Sequence, residues 1–285
     1  MLRKFRQATL RCGNQVLAID QPIVMGIINA TTDSFYTASR TGDAVYIAVE
    51  KATAMVEQGA TIIDVGGMSS RPGAVEISAS EEMDRILPVI QSIREKFPDV
   101  VISADTWRAE VAEEAIQAGA TMINDISGAQ FDPEMLDVVV RHPVAYVLMH
   151  MRGTPADMQQ QTSYDDLMAD LMKWFVGRIR MLHAKGIHDI VIDPGFGFAK
   201  TMSQNYHLIS NLDVFRLWGY PVMIGVSRKS TLSATVGRPT EDTLHATTAL
   251  HMAALMKGAS VLRVHDVQPA MDAIRVYQKL MQETA

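Results

Sequence analysis

The sequence predicts a single (β/α)8 barrel, the TIM-barrel architecture of the α/β class, with a short N-terminal hairpin. Its 285 residues, 48% of them hydrophobic, suit one barrel of roughly 250 residues. About eight short apolar runs alternate with amphipathic segments, and this alternation favours a parallel sheet. The runs are nearly continuous in apolar residues, as expected for strands that are buried on both faces. A doubly wound open sheet is the alternative fold.

The predicted strands are short runs of β-branched and apolar residues. In chain order they span residues 23–28, 61–65, 100–104, 121–124, 144–149, 189–192, 221–226 and 260–264. Amphipathic segments predict helices at residues 43–58, 80–96, 108–118 and 164–185. Gly59, Gly119 and Gly186 follow three of these segments as expected C-terminal caps. Residues 1–21 are predicted to form the hairpin over the base of the barrel, and we predict one domain over residues 1–285.

The composition limits the classes of function. The formal net charge of −6 disfavours nucleic-acid binding, because proteins that bind the phosphate backbone carry a basic excess. No apolar run approaches the roughly 18 residues of a membrane helix, and residues 1–11 lack a signal-peptide core. The single cysteine, Cys12, excludes an intrachain disulfide and suits a reducing compartment. We therefore expect a cytoplasmic protein that binds neither membrane nor nucleic acid.

Polar residues stand at the end of every predicted strand. They are Asn29, Asp64, Asp105, Asn124 with Asp125, His150, Asp193, Ser227 to Ser230, and Arg263 with His265. A single aspartate or asparagine at such a position is more often a turn former or a helix cap than a functional group. In a β/α barrel, however, the residues that follow the strands all face one mouth. The complete set therefore predicts an active site.

Three segments indicate what this site binds. Residues 64–73 combine glycines, hydroxyls and Arg71 after a strand, a composition suited to a loop that closes on an anion. Asp193, with the glycine-rich aromatic loop after it, and Lys229 suit a flat heterocycle with donor and acceptor edges. Arg263 and His265 face the same side of a strand and make a candidate diphosphate clamp. The alternative for this pair is a structural ion pair with a neighbouring carboxylate.

Short motifs disfavour several enzyme classes. None of the eight histidines lies in a short zinc-binding pattern. A metal ion would therefore be Mg²⁺, held by an oxygen such as that of Asn29 together with substrate phosphates and waters. The sequence has no G-x-x-x-x-G-K-[ST] loop, no G-x-S-x-G elbow and no dinucleotide fingerprint around Gly195 and Gly197. These absences weigh against nucleotide hydrolases, esterases and dehydrogenases.

Eight ordered motifs resemble those of dihydropteroate synthases. They are MGIINATTDSF, DVGGMSSRPGA, SADT, INDIS, MHMRGTP, DPGFGFAKT, SRKS and RVHDV, within residues 24–267. The resemblance implies a transferase of folate biosynthesis that is a sulfonamide target. Such enzymes join 6-hydroxymethyl-7,8-dihydropterin diphosphate to 4-aminobenzoate and release 7,8-dihydropteroate and pyrophosphate. The resemblance also implies Mg²⁺ as cofactor and a homodimer.

The same resemblance implies a role for each matching residue. Pterin binding is expected from Asp105, Asn124, Met149, Asp193, Phe198, Lys229 and Arg263. Diphosphate binding is expected from Asn29, Arg71, Arg263 and His265, with Asn29 as the protein ligand of Mg²⁺. The 4-aminobenzoate pocket is expected from Ser70, Arg71, Pro72, Phe198 and Ser230. The expected catalytic residues are Asp33, Asp105, Lys229, Arg263 and His265.

The sequence departs from the family pattern in two loops. Thr32 replaces a proline, Thr37 replaces a common aspartate and Met68 replaces a glutamate, whereas Ser70 keeps the hydroxyl of a threonine. These differences concern loop closure, turnover and sulfonamide response more than the fold. Two alternatives follow. One is a related pterin-barrel enzyme that passes a methyl group to a corrinoid partner, and the other is a pterin-binding paralogue without turnover.

Overall fold

The computed structural model describes residues 5–30, 41–69 and 76–283, and the structural statements below refer to them. The chain begins with an antiparallel hairpin of strands β1 (Ala8–Cys12) and β2 (Gln15–Ile19). Gly13 lies in its turn with φ +67°, a conformation that glycine adopts at little cost. The predicted N-terminal hairpin is therefore confirmed. The single domain over residues 1–285 reaches beyond the described residues and stays a prediction.

Eight further strands of the described chain form one parallel sheet. They are β3 (Ile23–Asn29), β4 (Ile62–Gly66), β5 (Val101–Asp105), β6 (Met122–Asp125), β7 (Ala145–Met149), β8 (Ile190–Asp193), β9 (Met223–Ile224) and β10 (Val261–Val264). Neighbours follow the order β8, β7, β6, β5, β4, β3, β10, β9. A parallel bridge between Ile192 and Val222 joins β8 to the start of β9 and closes the sheet. The predicted barrel is confirmed, and the open-sheet alternative is wrong.

Helices alternate with the strands of the barrel. They are α1 (Thr41–Glu57), α2 (Ala79–Lys96), α3 (Ala109–Gln117), α4 (Met135–Arg141), α5 (Leu167–Ala184), α6 (Met202–Ser210), α7 (Ser230–Val236), α8 (Leu244–Met256) and α9 (Val267–Glu283). The predicted helices correspond to α1, α2, α3 and α5. Gly59, Gly119 and Gly186 have φ of +105°, +117° and +84°, which confirms them as helix caps. None of the described helices combines the length and apolar character needed to cross a bilayer.

One predicted strand is too long. The sequence predicts a strand at residues 221–226, but β9 covers only Met223–Ile224. Pro221 has no N–H to donate to a ladder, although its carbonyl accepts the N–H of Ile192 at 2.9 Å. Because the chain leaves the sheet early, residues 227–230 are free of strand pairing. The side chain of Lys229 can therefore reach the loop that follows β8.

Apolar side chains fill the barrel at its amino-terminal end. Leu10, Cys12 and Ile19 of the hairpin are at most 1% exposed and pack against inward-facing residues such as Met25 and Met122. A second and larger apolar layer lies between the strands and the helices around them. The hairpin thus seals the base. Polar side chains are left to the opposite mouth, the end at which barrel enzymes hold their active sites.

Candidate active site at the carboxyl ends of the strands

Arg263 lies at the centre of a charged cluster in the barrel mouth. Its Nε donates to Oδ2 of Asp64 at 2.7 Å, and its Nη2 donates to Oδ2 of Asp105 at 2.5 Å. Asn124 donates from Nδ2 to the same oxygen of Asp64 at 3.2 Å. Strands β10, β4, β5 and β6 carry these residues, and inward-pointing side chains of a barrel converge at its mouth. Three predicted site residues, Asp105, Asn124 and Arg263, are thus brought together.

The charges of this cluster are largely shielded from water. Asp64 is 0% and Asn124 is 2% exposed. Burial raises the pKa of Asp105 to about 7, and Asp64 adds to this rise while Arg263 opposes it. Burial acts to lower the pKa of Arg263, but Asp64 and Asp105 together outweigh it and raise that pKa. The guanidinium therefore stays charged, whereas Asp105 changes its charge near neutral pH.

Two buried acceptors of the cluster have no hydrogen-bond partner within the described part of the chain. They are Oδ1 of Asp64 and Oδ1 of Asn124. A buried acceptor without a donor costs about 1–3 kcal/mol. Both atoms therefore favour a ligand that brings N–H groups to them. A flat heterocycle with amino and ring N–H donors meets this requirement.

Asp193 and Lys229 form a second pair of opposite charges near the first cluster. Asp193 ends β8 and accepts the N–H of Gly195 at 2.8 Å. Nζ of Lys229 donates to the carbonyl oxygen of Phe196, and the same Nζ lies 4.3 Å from the centre of the Phe198 ring. Burial raises the pKa of Asp193, and the Gly195 N–H and Lys229 oppose the rise. Burial lowers the pKa of Lys229 to about 7 against the attraction of Asp193, so each charge supports the other.

The loop that joins β8 to α6, residues 194–201, is closely packed at its two glycines. A Cβ at Gly195, where φ is +72°, would lie 2.0 Å from the carbonyl oxygen of His150. A Cβ at Gly197, where φ is +85°, would lie 2.8 Å from Cδ of Lys229. Both positions thus require glycine for conformation, and Gly195 also requires it for space, because its clash is with a backbone oxygen rather than with a side chain that can move. The loop fits between the end of β7 and Lys229, and this fit places the Phe198 ring beside the ammonium group.

His265 follows β10 and lies among cations. Its Nδ1 is 3.1 Å from Oγ of Ser227. Burial lowers the pKa of His265 to about 3, and Arg263, Lys51 and Arg228 lower it further. The imidazole is therefore neutral at physiological pH. In this state it can give an anion a ring N–H, although it brings no positive charge of its own.

Asn29 ends β3 and pairs in register with Gly66 of β4. Its side chain is partly buried. The described residues hold no group of three or more His, Cys, Asp or Glu side chains that could enclose a metal ion. Mg²⁺ does not need such a group, since it keeps several waters and takes further ligands from substrate phosphates. A single amide oxygen at a strand end therefore fits Mg²⁺ that is bound together with a diphosphate.

Met149 and Ser230 differ in their exposure. Met149 ends β7 and is 2% exposed, in an apolar cluster with Ile126, Met151 and Phe198. Ser230 is exposed and begins α7 directly after Lys229. Met149 and Phe198 thus supply apolar surface at the site, while the hydroxyl of Ser230 remains accessible at its edge.

Four predicted site residues lie outside the described residues. They are Asp33 of the first loop and Ser70, Arg71 and Pro72 of the second. The altered positions Thr32 and Thr37 also lie there, so the roles assigned to this part of the chain stay predictions. Met68, which replaces the glutamate of the family pattern, is described and lines a cleft of about 570 Å³ together with Trp107 and Phe131.

Two residues of the site received no specific role from the sequence: Asp64, which was predicted only as one of the strand-end polar residues, and Lys200, which was not singled out. Asp64 lies within β4 and pairs with Arg263, so the alternative of a structural ion pair describes part of what Arg263 does. Lys200 is 2% exposed and binds carbonyl groups of the loop after β8. A signal for each was present, since one is a charge inside an apolar strand and the other is a lysine inside the DPGFGFAKT motif.

The comparisons with known proteins agree with this geometry. Residues 25–265 match the family described as pterin binding enzyme, so the barrel and its strand-end site define a pterin-binding enzyme. The dihydropteroate synthase of Synechocystis sp. is 42% identical over 260 residues, which are 90% of this chain and 89% of that protein. The dihydropteroate synthase of Escherichia coli K12 is 39% identical over 264 residues, 92% of this chain and 93% of that protein.

Solved structures of high similarity carry the same name. The Yersinia pestis dihydropteroate synthase in a sulfonamide drug complex has a TM-score of 0.90 and 36% identity, and the match covers 96% of this chain and 100% of that one. The Xanthomonas albilineans dihydropteroate synthase with 4-aminobenzoic acid has a TM-score of 0.89 and 38% identity, with 96% and 98% covered. This chain belongs to the dihydropteroate synthase family. The sequence-based predictions of the family, the function and the transferase class are confirmed, and the methyltransferase alternative is set aside.

Proposed function

We propose that this enzyme joins 6-hydroxymethyl-7,8-dihydropterin diphosphate to 4-aminobenzoate and releases 7,8-dihydropteroate and pyrophosphate. One observation carries the proposal. The Arg263 cluster holds two buried acceptors, on Asp64 and Asn124, that receive no donor from the described residues, and a pterin brings N–H groups of the required kind. The relatives support it, since one solved structure holds 4-aminobenzoic acid and another a sulfonamide drug.

The pterin would lie between the Arg263 cluster and the Asp193–Lys229 pair. Asn124, Asp193 and Lys229 would bind its hydrogen-bonding edge, and Met149 would contact the ring from below. Arg263, held by carboxylates on two sides, would stack on the ring with its flat guanidinium face. Because ion pairs and the packed loop fix these groups before substrate arrives, little ordering remains when the pterin binds.

The diphosphate would lie against Asn29, Arg263 and His265, with Arg71 as a further cation. Arg263 would supply charge and His265 a ring N–H, since the neighbouring cations keep the pKa of this imidazole low. Asn29 would hold Mg²⁺, which neutralises diphosphate charge and so makes diphosphate a better leaving group. Titration calorimetry of inorganic pyrophosphate with and without MgCl₂, on the enzyme and on Asn29→Ala, tests this. We expect Mg²⁺ to strengthen binding only where Asn29 is present.

The chemical step would be a substitution at the methylene carbon of the pterin. The bond from this carbon to the diphosphate oxygen breaks, a bond to the amine nitrogen of 4-aminobenzoate forms, and this nitrogen then loses a proton to water. An arylamine is already neutral at pH 7, so the step needs no strong general base. Asp105 and Asp193 would stabilise positive charge that develops on the pterin as diphosphate leaves. A dissociative substitution, with the pterin diphosphate bound first, fits this arrangement. A rate that rises steeply with arylamine nucleophilicity at saturation would contradict it.

The 4-aminobenzoate would lie at the open side of the site. Phe198 and Ser230 would border this side, and Ser70, Arg71 and Pro72 of the second loop would complete the pocket. Lys229 lies over the Phe198 ring and so gives the aromatic substrate a wall of fixed position. The altered residues Thr32 and Thr37 would act on closure and turnover rather than on pterin binding.

The decisive experiment is product formation by the purified protein. Pterin diphosphate, 4-aminobenzoate and Mg²⁺ are supplied, and dihydropteroate and pyrophosphate are measured together. We expect product that requires both substrates, disappears in Asp193→Ala and persists in Asp272→Ala, a change at an exposed residue. Tight binding of the pterin diphosphate without product would overturn the proposal and support the paralogue that lacks turnover.

We also propose a homodimer through the C-terminal helices. Met256 of α8 and Val276 and Leu280 of α9 are exposed by 38%, 56% and 45%, and α8 packs beside α9 in the fold. Exposed apolar side chains on adjacent helices favour a protein interface. Light scattering after gel filtration tests this. We expect a dimer for the protein and a monomer for Val276→Glu with Leu280→Glu.

The proposed compartment is the cytoplasm. Cys12 is a free, buried cysteine, as expected where thiols stay reduced. Cell fractionation with an antibody against the protein tests this, and recovery from a membrane or periplasmic fraction would contradict it.

A further inference from the structure

Lys200 is a buried lysine without a part in the proposed chemistry. Its side chain is 2% exposed. Its Nζ lies 3.0 Å from the carbonyl oxygen of Gly195, 3.0 Å from that of Phe198 and 3.3 Å from Nδ1 of His150. An ammonium group has three N–H donors, and here each has one acceptor. Burial keeps the pKa of His150 well below its usual value, so Nδ1 of this neutral ring can accept.

The loop around Lys200 is coiled so that its carbonyls face two different lysines. Residues Gly195, Gly197 and Ala199 have φ of +72°, +85° and +48°, which turns successive peptide groups in different directions. The carbonyls of Gly195 and Phe198 accept from Lys200, whereas the carbonyl of Phe196 accepts from Lys229. One short loop is therefore held by Lys200 on its buried side and by Lys229 on the side of the site.

This arrangement ties Lys200 to Asp193 as well. Gly195, whose carbonyl binds Lys200, donates its N–H to the Asp193 carboxylate at 2.8 Å. Burial raises the pKa of Asp193, and the positive charge of Lys200 is one of the influences that oppose this rise. Burial lowers the pKa of Lys200 itself to about 7, and Asp193 opposes this fall. Lys200 thus acts on Asp193 through the backbone and, in its protonated form, through its charge.

We propose that Lys200 is a positioning residue, which holds the β8–α6 loop so that Asp193, the Phe198 ring and Lys229 keep the geometry that binds the pterin. The inference rests on the proposed pterin role of Asp193 and Lys229. The inference adds Lys200, which touches neither substrate, to the residues on which pterin binding depends. A purely structural lysine would stabilise the fold without affecting pterin affinity or the pH profile, and this difference separates the two roles.

The test compares Lys200→Met, Lys200→Arg and the control Lys185→Met in the full chain. Lys185 also binds through its ammonium group, but its partner is the Asp137 carboxylate on the exposed surface. We expect Lys200→Met to lower kcat/KM for the pterin diphosphate about a hundredfold, as a misplacement of about 1 Å does, and mainly through KM. The acid limb of its pH profile should move to higher pH because Asp193 loses a neighbouring cation. Lys200→Arg keeps the charge and should restore the acid limb, and Lys185→Met should change neither.

A lower melting temperature for Lys200→Met, with unchanged KM and an unchanged acid limb, would overturn the inference. Should this variant not fold, His150→Phe removes one of the three acceptors and should raise KM in the same direction by a smaller factor. Calorimetry of pterin diphosphate binding separates this inference from the proposed function. Wild-type protein that binds without turnover contradicts the proposed function, while weaker binding by Lys200→Met still supports the inference.

Discussion

Nε of Arg263 lies 2.7 Å from Oδ2 of Asp64, although 199 residues separate them in the chain. Their strands, β10 and β4, are not neighbours, because β3 lies between them in the sheet. The ion pair therefore crosses a strand inside the mouth. It connects the end of the barrel sequence to its beginning, and it places a fixed guanidinium where the proposed pterin would bind.

Removing the carboxylate from this pair should cost stability. Asp64 is 0% exposed and Arg263 is 19% exposed at the side chain, and loss of one partner of a buried pair typically costs about 3–5 kcal/mol. We expect Asp64→Asn to lower the free energy of unfolding by about that amount in urea titrations. Asp266→Asn, which breaks a more exposed pair with Arg228, should cost at most about 1 kcal/mol. Equal losses in the two variants would contradict the prediction.

The pH dependence of catalysis should be narrow and centred near neutrality. Burial brings the pKa of Asp105 up to about 7 and that of Lys229 down to about 7. Asp105 is ionised above this value and Lys229 is protonated below it, so kcat/KM should fall on both sides. The limbs belong to a coupled set that includes Asp193. Lys229→Arg keeps its charge at alkaline pH and should move only the alkaline limb, to higher pH. An alkaline limb that does not move would rule out Lys229 as its source.

The loop after β8 should be intolerant of a single methyl group. Gly195→Ala places a Cβ 2.0 Å from a backbone oxygen of His150, in addition to the strain of φ +72°. Gly186→Ala has a similar φ of +84°, and no atom of the described residues lies within 4 Å of the added Cβ, so it isolates the conformational cost of roughly 1–2 kcal/mol. We expect thermal melting to show a much larger loss for Gly195→Ala. Similar melting temperatures would mean that the loop moves aside.

The sequence was sufficient to predict the barrel because the barrel depends on local patterns. Apolar runs buried on both faces, such as residues 144–149, and glycines that end helices, such as Gly59, act through backbone geometry within a few residues. Even the hairpin over the base could be predicted. The length of β9 could not, since the pairing of Pro221 depends on where β8 ends beside it.

The site was harder to predict where partners come from distant strands. Asp105, Asn124 and Arg263 were found from strand ends and resemblance, yet the role of Asp64 depends on a contact across 199 residues. Lys200 was harder still. Its contacts depend on a loop that includes Ala199 at φ +48°, and an alanine in the sequence does not predict this left-handed conformation.

The hairpin should contribute to the stability of the barrel core. Leu10 is 1% exposed and packs inside the base, whereas Val16 on the same hairpin is 68% exposed. Leu10→Ala should cost about 2–5 kcal/mol, the range for buried leucines, and Val16→Ala about 0.5 kcal/mol or less. Urea unfolding of the two variants measures this, and a small loss at Leu10 would mean that the base is not sealed by the hairpin.

The pKa of His265 should rise when diphosphate binds. Burial and nearby cations lower its pKa to about 3 in the free enzyme. The neutral ring therefore contributes stability that is fully present above the pKa of the unfolded chain, about 6.5, and that is lost as the pH falls toward 3. A bound anion offsets the cations and should raise this pKa. NMR measures the change by following the ring resonances of His265 across pH, with and without inorganic pyrophosphate. The internal control is His183, which is exposed and remote in sequence. If the titration of His265 is unchanged at a saturating concentration of pyrophosphate, the anion binds away from this ring.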